Sequence, residues 1–183
     1  QKKLWKKRQA QEAASRIPPR GKKVLLVYDF EAQSLAGWNK IKLPTPEALE
    51  FVTSPVRGGR YAARFRLRKK DKIVATGKRA EIERLGVASH GETYWYGFSI
   101  YVPADWKPDH LDEVVAQWNA TADIARGENE RRSPPLAIRI EGSNWRITNR
   151  WDEREITPPG NEAPQKTLWV GGLDKGRWVD WVL

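Results

Sequence analysis

The chain has 183 residues, room for one domain with a substantial core, and contains ten Trp, twelve Pro, fourteen Gly and no Cys. Without Cys there are no disulfides, thiol nucleophiles or thiolate metal sites, and no stretch approaches the roughly 18 apolar residues of a membrane span. The net charge of +10 sits mostly in residues 1–23, with nine basic side chains and one Glu, so overall charge argues weakly for nucleic acid.

Residues 1–23 read as a separate basic leader, solvated and mobile, whose weak apolar stripe of Leu4, Trp5, Ala13 and Ala14 stops at Ile17-Pro18-Pro19. The competing reading of this leader is a contact to an anionic polymer or lipid surface. The remaining 160 residues, with 24 basic and 22 acidic side chains, are close to neutral and form the domain, 24–183. Val24–Phe30 reads as a buried strand, followed by a turn and aromatic plug at Ala36-Gly37-Trp38. Leu49–Thr53 is a short strand and Pro55–Gly59 a turn. Tyr61–Leu67 alternates, with Tyr61, Ala63, Phe65 and Leu67 inward and Ala62, Arg64 and Arg66 outward.

After a charged loop at Lys69–Lys72, Lys78–Glu83 is a strand that puts Arg79, Glu81 and Glu83 on one face. Thr93–Val102 is the longest strand signal in the chain, ended by the loop Pro103–Pro108. Glu113–Asn119 follows with a two-residue period: Val115, Gln117 and Asn119 on one face, Val114, Ala116 and Trp118 on the other. Residues 121–133 are a polar loop with Gly127. Leu136–Ile140 is a strand opened by Pro134-Pro135, and Ser143-Asn144 turns into a strand over Trp145–Trp151. Residues 157–167 are a loop and Trp178–Leu183 is a closing strand. Short strands at regular spacing with turn chemistry between them predict an all-β sandwich. Leu183 ends the sequence within a strand pattern, so the fold is expected to continue beyond it.

Two neutral amides on alternate positions are unusual on a strand unless something polar lies above them, and they suit an acidic, hydroxyl-rich ligand. One sheet face is expected to gather Arg79, Glu81, Gln117, Asn119 and Arg139, the guanidinium forks suiting a carboxylate. The plain alternative is that Arg79 and Glu81 simply pair. Such a groove fits a uronic-acid polymer, cleaved by β-elimination: neutralising the C6 carboxylate acidifies the C5 proton, a base removes it, and an acid protonates the leaving oxygen. His90, His110, Tyr94, Tyr96 and Tyr101 are the available proton carriers, with His90 better placed than His110. Trp118, Trp145 and Trp181 are assigned to the core, and Trp106 and Trp169 are kept as sugar platforms. Glu81 and Glu83, about 7 Å apart by strand rise, offer a rival glycosidase pair. No phosphate loop, nucleophile elbow or paired-His metal motif is present.

Several stretches then occur in an order that resembles a known family. They are Tyr28–Glu31, Pro55–Ala62, Lys78–Ile82, Gly91–Pro103, Ala116–Asn119, Pro134–Ile138 and Gly176–Leu183. Together, over residues 27–183, they look like polysaccharide lyases of the heparin lyase I and glucuronan lyase type. The resemblance implies a β-jelly-roll sandwich, concanavalin-like, with a concave sheet that binds acidic polysaccharide. It places Arg79 and Gln117 in the cleft, to which the reading of the residues themselves adds Asn119, His90 and Tyr96 as further catalytic candidates and Glu81, Arg139 and Trp106 as substrate contacts. Where the family often has a proton-transferring His, this chain has Asn119, so either another residue substitutes or the protein binds without cutting. Calcium is implied by the resemblance alone, and the residues themselves point to no cofactor or metal. The expected partner is an acidic polysaccharide, with no specific nucleic acid, and the substrate class implies a secreted or periplasmic location.

Overall fold

In the computed structural model, residues 23–128, 132–158 and 164–183 are described. The leader reading therefore lies outside the described residues except for Lys23, as do parts of the 121–133 and 157–167 loops. The described chain groups into two compact units, residues up to Ser99 with Trp181–Leu183, and Ile100–Asp180. All-β architecture is what the structure shows, with antiparallel ladders and, among the described residues, two 3-10 turns as the helical elements.

The first unit contains β1 (Lys40–Lys42), a 3-10 turn at Pro46–Ala48, β2 (Leu49–Val52), β3 (Ala62–Phe65) and β4 (Glu81–Glu83). β2 pairs with β3 and β1 with β4, both antiparallel. The link between β2 and β3 is pinned by Glu31, whose carboxylate accepts from the backbone N–H of Arg60 at 2.9 Å and of Tyr61 at 3.1 Å. Gly59 is needed there twice over: its φ is +71°, and a Cβ would lie 2.2 Å from Glu31 Oε1. β5 (Gly97–Tyr101) pairs with β10 (Trp178–Val182), and the unit boundary falls within both strands.

Several expectations need correction in this unit. Val24–Phe30 is not a strand, and Val24, Leu25, Leu26 and Val27 are 42–61% exposed. The segment docks instead through Tyr28, stacked 4.6 Å from Trp38, and Phe30, 6.2 Å from Phe51, with no ladder partner to make it a strand. Phe65 and Leu67, assigned inward, are 42% and 47% exposed. The strand expected over Lys78–Glu83 is regular only at Glu81–Glu83, because β1 has just three residues to pair with it. The signal at Thr93–Val102 narrows to the five residues of β5, though Tyr96 and Leu183 still exchange both backbone hydrogen bonds.

The second unit is built on β6 (Asp112–Trp118), β7 (Leu136–Glu141), β8 (Asn144–Asn149) and β9 (Lys166–Gly172), hydrogen-bonded in that order. β7 and β8 form a hairpin closed by Gly142-Ser143, with Gly142 at φ +57° as a two-residue turn requires. β9 begins inside the loop expected over 157–167 and runs on through residues where no element is expected, since two Gly and a lone apolar triplet give no period; its pairing with β8 makes it a strand. Ile138, Ile140 and Trp145 are at most 3% exposed and form the centre of the apolar core.

Candidate functional site: the polar face of the four-stranded sheet

Directly opposed residues of an antiparallel pair project to the same side, so the register sorts every side chain of this sheet. A bulge at Val115, between Val114 and Ala116, resets the period of β6. Val114 thereby joins Arg139 rather than Ala116 and Trp118, correcting the uninterrupted alternation expected for Glu113–Asn119. One face gathers Glu113, Ala116 and Trp118 with Leu136, Ile138, Ile140, Trp145, Ile147 and Trp169, and is predominantly apolar. The other face is polar, and its rows cross all four strands. One row is Gln117, Ala137, Thr148 and Thr167; the next is Val114, Arg139, Arg146 and Val170.

Gln117 and Arg139 therefore share a face, as diagonal neighbours on adjacent strands. Ala137, opposite Gln117, is fully buried and its methyl leaves the amide side chain as the taller group of the pair. Arg139 is 9% exposed. Its Nη1 donates to Asp112 Oδ2 at 2.6 Å and its Nε to Thr148 Oγ1 at 3.0 Å, so the fork is held rigidly across the strands. Arg146 donates to Glu141 and, at 3.0 Å, to Thr167 Oγ1. Arg146, Thr148 and Thr167 were not singled out from the sequence. The signal was the polar alternation of β8, legible only once β8 is paired.

The face extends one row past the regular strands. Trp118 pairs with Leu136, which brings Asn119 beside Pro135, and the Arg150 backbone N–H donates to Pro135 O at 2.8 Å. Arg150 Nη2 reaches Gln165 Oε1 at 3.5 Å, so Asn119, Pro135, Arg150 and Gln165 make a further row beside that of Gln117. Asn119 itself is exposed, one residue beyond the end of β6. Trp106 lines a small recess with Asp109, Leu111, Glu113 and Ile140, on the side of the sheet opposite Gln117. Trp169 likewise lies on the apolar face, its ring so close over Gly171 that a Cβ there would sit 2.2 Å from it.

The other candidates belong to the first unit. Arg79 Nη1 donates to Glu81 Oε2 at 3.2 Å and Nη2 to Thr76 Oγ1 at 3.2 Å. Glu81 also faces Lys42 at 3.5 Å, Lys42 binds Glu83 at 2.7 Å, and Lys40 lies 3.6 Å from Glu83. Arg79 thus ends a ladder of alternating charges. Burial pushes the Glu83 carboxyl up, but the hydrogen bond and charge of Lys42, helped by Lys40, outweigh it and hold Glu83 below its ordinary range. A glycosidase acid needs the opposite shift, so Glu83 is poorly suited to that role. His90 is exposed in a turn next to Ser89, whose N–H donates to the Tyr94 hydroxyl at 3.1 Å. Burial, with Tyr94 adding to it, raises the Tyr96 phenol, which keeps it protonated and makes it a weaker proton donor than an ordinary tyrosine.

Among the described residues no group of three or more His, Cys, Asp or Glu could hold a metal ion. Asp112, Glu141 and Asp152 are each paired with an arginine, so among the described residues these carboxylates do not fit the calcium site implied by the resemblance.

One side of the four-stranded sheet of this all-β protein is thus lined with an amide, hydroxyls and anchored guanidiniums, and the other is predominantly apolar. The polysaccharide lyase family matches over residues 30–183, and the chain belongs to that family. No curated protein and no solved structure matches it.

Proposed function

We propose that the protein cleaves a uronic-acid-containing polysaccharide by β-elimination, with the polar face of β6–β9 neutralising the substrate carboxylate. The observation that supports this most is the row arrangement that sets the Gln117 amide diagonally next to the fixed fork of Arg139 and on the same face as that of Arg146. Amide N–H and guanidinium groups aimed at the C6 carboxylate stabilise the enolate-like charge that develops when the C5 proton leaves. Because the two guanidiniums are already held by Asp112, Thr148 and Thr167, little reorganisation of them is needed as charge develops. A polymeric extracellular substrate places the protein outside the cytoplasm.

A second reading is a carbohydrate-binding domain without catalysis, favoured by Asn119, which cannot serve as a base at neutral pH. Ultraviolet absorbance of unsaturated uronate product, followed with glucuronan, alginate, heparin and chondroitin, separates the two. The proposal expects product from at least one polymer and its loss in Gln117→Ala. Binding without product from any polymer establishes the second reading instead.

A further inference from the structure

Charge is spread very unevenly along the domain. The 23 residues Arg57–Arg79 hold ten basic side chains and one acidic one, Asp71, a surplus of nine positive charges. The other 137 residues of 24–183, with 14 basic and 21 acidic side chains, carry a surplus of seven negative charges. A near-neutral total therefore conceals one strongly basic segment, all of it in the first unit.

Arg64 lies opposite Glu50 in the β2–β3 ladder, and the Arg66 backbone N–H extends the ladder by donating to Ala48 O at 2.9 Å. Arg64 and Arg66 thus project to one side, about 7 Å apart, and both reach Glu50, Arg66 Nη2 at 3.0 Å. The hydrogen bond from Arg64 outweighs the cost of burial and, with the charges of Arg66 and Arg68, holds the Glu50 carboxyl below its ordinary range. Arg66 and Arg68 act on Glu47 as well, so two carboxylates answer three guanidiniums. Beyond them Arg68–Asp71 closes as a turn: the Asp71 N–H donates to Arg68 O at 3.0 Å, and Asp71 Oδ2 accepts from the Arg68 N–H at 2.7 Å. Lys78 Nζ clamps the same turn by donating to the carbonyls of Arg68 and Lys69. Lys69 and Lys70 occupy its tip and Lys72 its far side. All three are exposed, and no ion pair to them occurs among the described residues.

Two apolar side chains flank these lysines, Leu67 at 47% exposed and Ile73 at 66% exposed. A hydrated polymer gains nothing from an exposed Ile73. The boundary between anionic headgroups and acyl chains takes up both kinds of side chain, the cations by charge and the apolar ones by removal from water.

We propose that the loop Arg66–Ile73, with Arg64 beside it, lies against an anionic lipid bilayer, Lys69, Lys70 and Lys72 meeting headgroup phosphates and Leu67 and Ile73 reaching past them. This contact uses none of the residues of the polar face of β6–β9 and does not depend on what that face binds.

Sedimentation of the intact chain with phosphatidylcholine vesicles, made with and without phosphatidylglycerol, tests it. The unaltered protein should partition onto the phosphatidylglycerol vesicles and stay in solution with phosphatidylcholine alone. Lys69→Ala, Lys70→Ala and Lys72→Ala combined should weaken that partition on the order of 100-fold, at about a factor of five per lysine. Ile73→Ser, which keeps every charge, should weaken it about fivefold. Unchanged partition in the triple variant overturns the proposal and assigns the contact to other residues. Loss in the triple variant with none in Ile73→Ser, or binding of soluble heparin in place of vesicles, makes the partner a hydrated polyanion and overturns it too.

Discussion

Glu83 and Glu113 are both half-buried glutamates on β-strands, yet their environments drive them in opposite directions. Glu83, on β4, faces Lys40 across the ladder and sits within 2.7 Å of Lys42, and its carboxyl is held low. Glu113, on β6, falls on the apolar face opposite Ile140, where burial raises its carboxyl and nearby Asp109 raises it further. The contrast extends to the whole surface around each. The β1–β4 ladder spends its charges on one another, whereas the β6–β9 sheet divides into an apolar side and a polar side whose arginines are tied to hydroxyls as well as acids. What a strand's charges are available for is decided by the strand beside it.

Removing the centre of the apolar side should have the largest effect. Trp145→Ala deletes a side chain that is 1% exposed and should lower unfolding free energy by about 3–5 kcal/mol in denaturant titration, through the cavity it leaves. Gln117→Ala, on the polar side next to Ala137, should leave the unfolding midpoint nearly unchanged and reduce turnover of the cleaved polymer about 100-fold, the scale for losing one donor to a developing anion. Equal loss of stability and activity in that variant would make Gln117 structural. Asp112→Ala strands the buried Arg139 guanidinium, and about 2 kcal/mol of stability should be lost, discounted because Asp112 is itself 35% exposed.

The smallest effects sharpen the contrast between the two glutamates. A carboxyl whose folded-state pKa is lowered contributes stability that is present above its ordinary value, near 4.5, and lost as pH falls through the lowered one. Glu83→Gln should therefore flatten the acid limb of a plot of unfolding midpoint against pH. A raised carboxyl behaves oppositely, its contribution being present below 4.5 and lost as pH rises through the raised value. Glu113→Gln should consequently raise the midpoint at neutral pH and change little in acid. The same slope change in both variants would contradict the register that sets them apart.

How much of this could be read before folding differs between elements. The apolar run Leu136–Ile140 and the turn expected at Ser143-Asn144 mark β7 and β8 from local chemistry, and both strands lie where the sequence expects them, although the turn itself is Gly142-Ser143 and Asn144 already pairs with Glu141. The run Val24–Phe30 is a stronger apolar signal than either, yet it is not a strand, because a strand exists only where a neighbour accepts its hydrogen bonds. β9 shows the converse, a weak local pattern made regular by β8. For the site, Gln117 and Arg139 were chosen from residue type and share the polar face, but Arg146 and Arg150 were not. Their positions follow from a bulge and a register that involve pairs of strands.

Taken alone, the sequence determined the all-β class, the placement of several strands and the chemical kind of group offered to a ligand, since these depend on period, turn residues and side-chain type within a few positions of one another. The tertiary structure decided which of those groups stand side by side. One extra residue at Val115 moves every preceding side chain of β6 to the opposite face, and no local pattern records which partner that residue will fail to pair with.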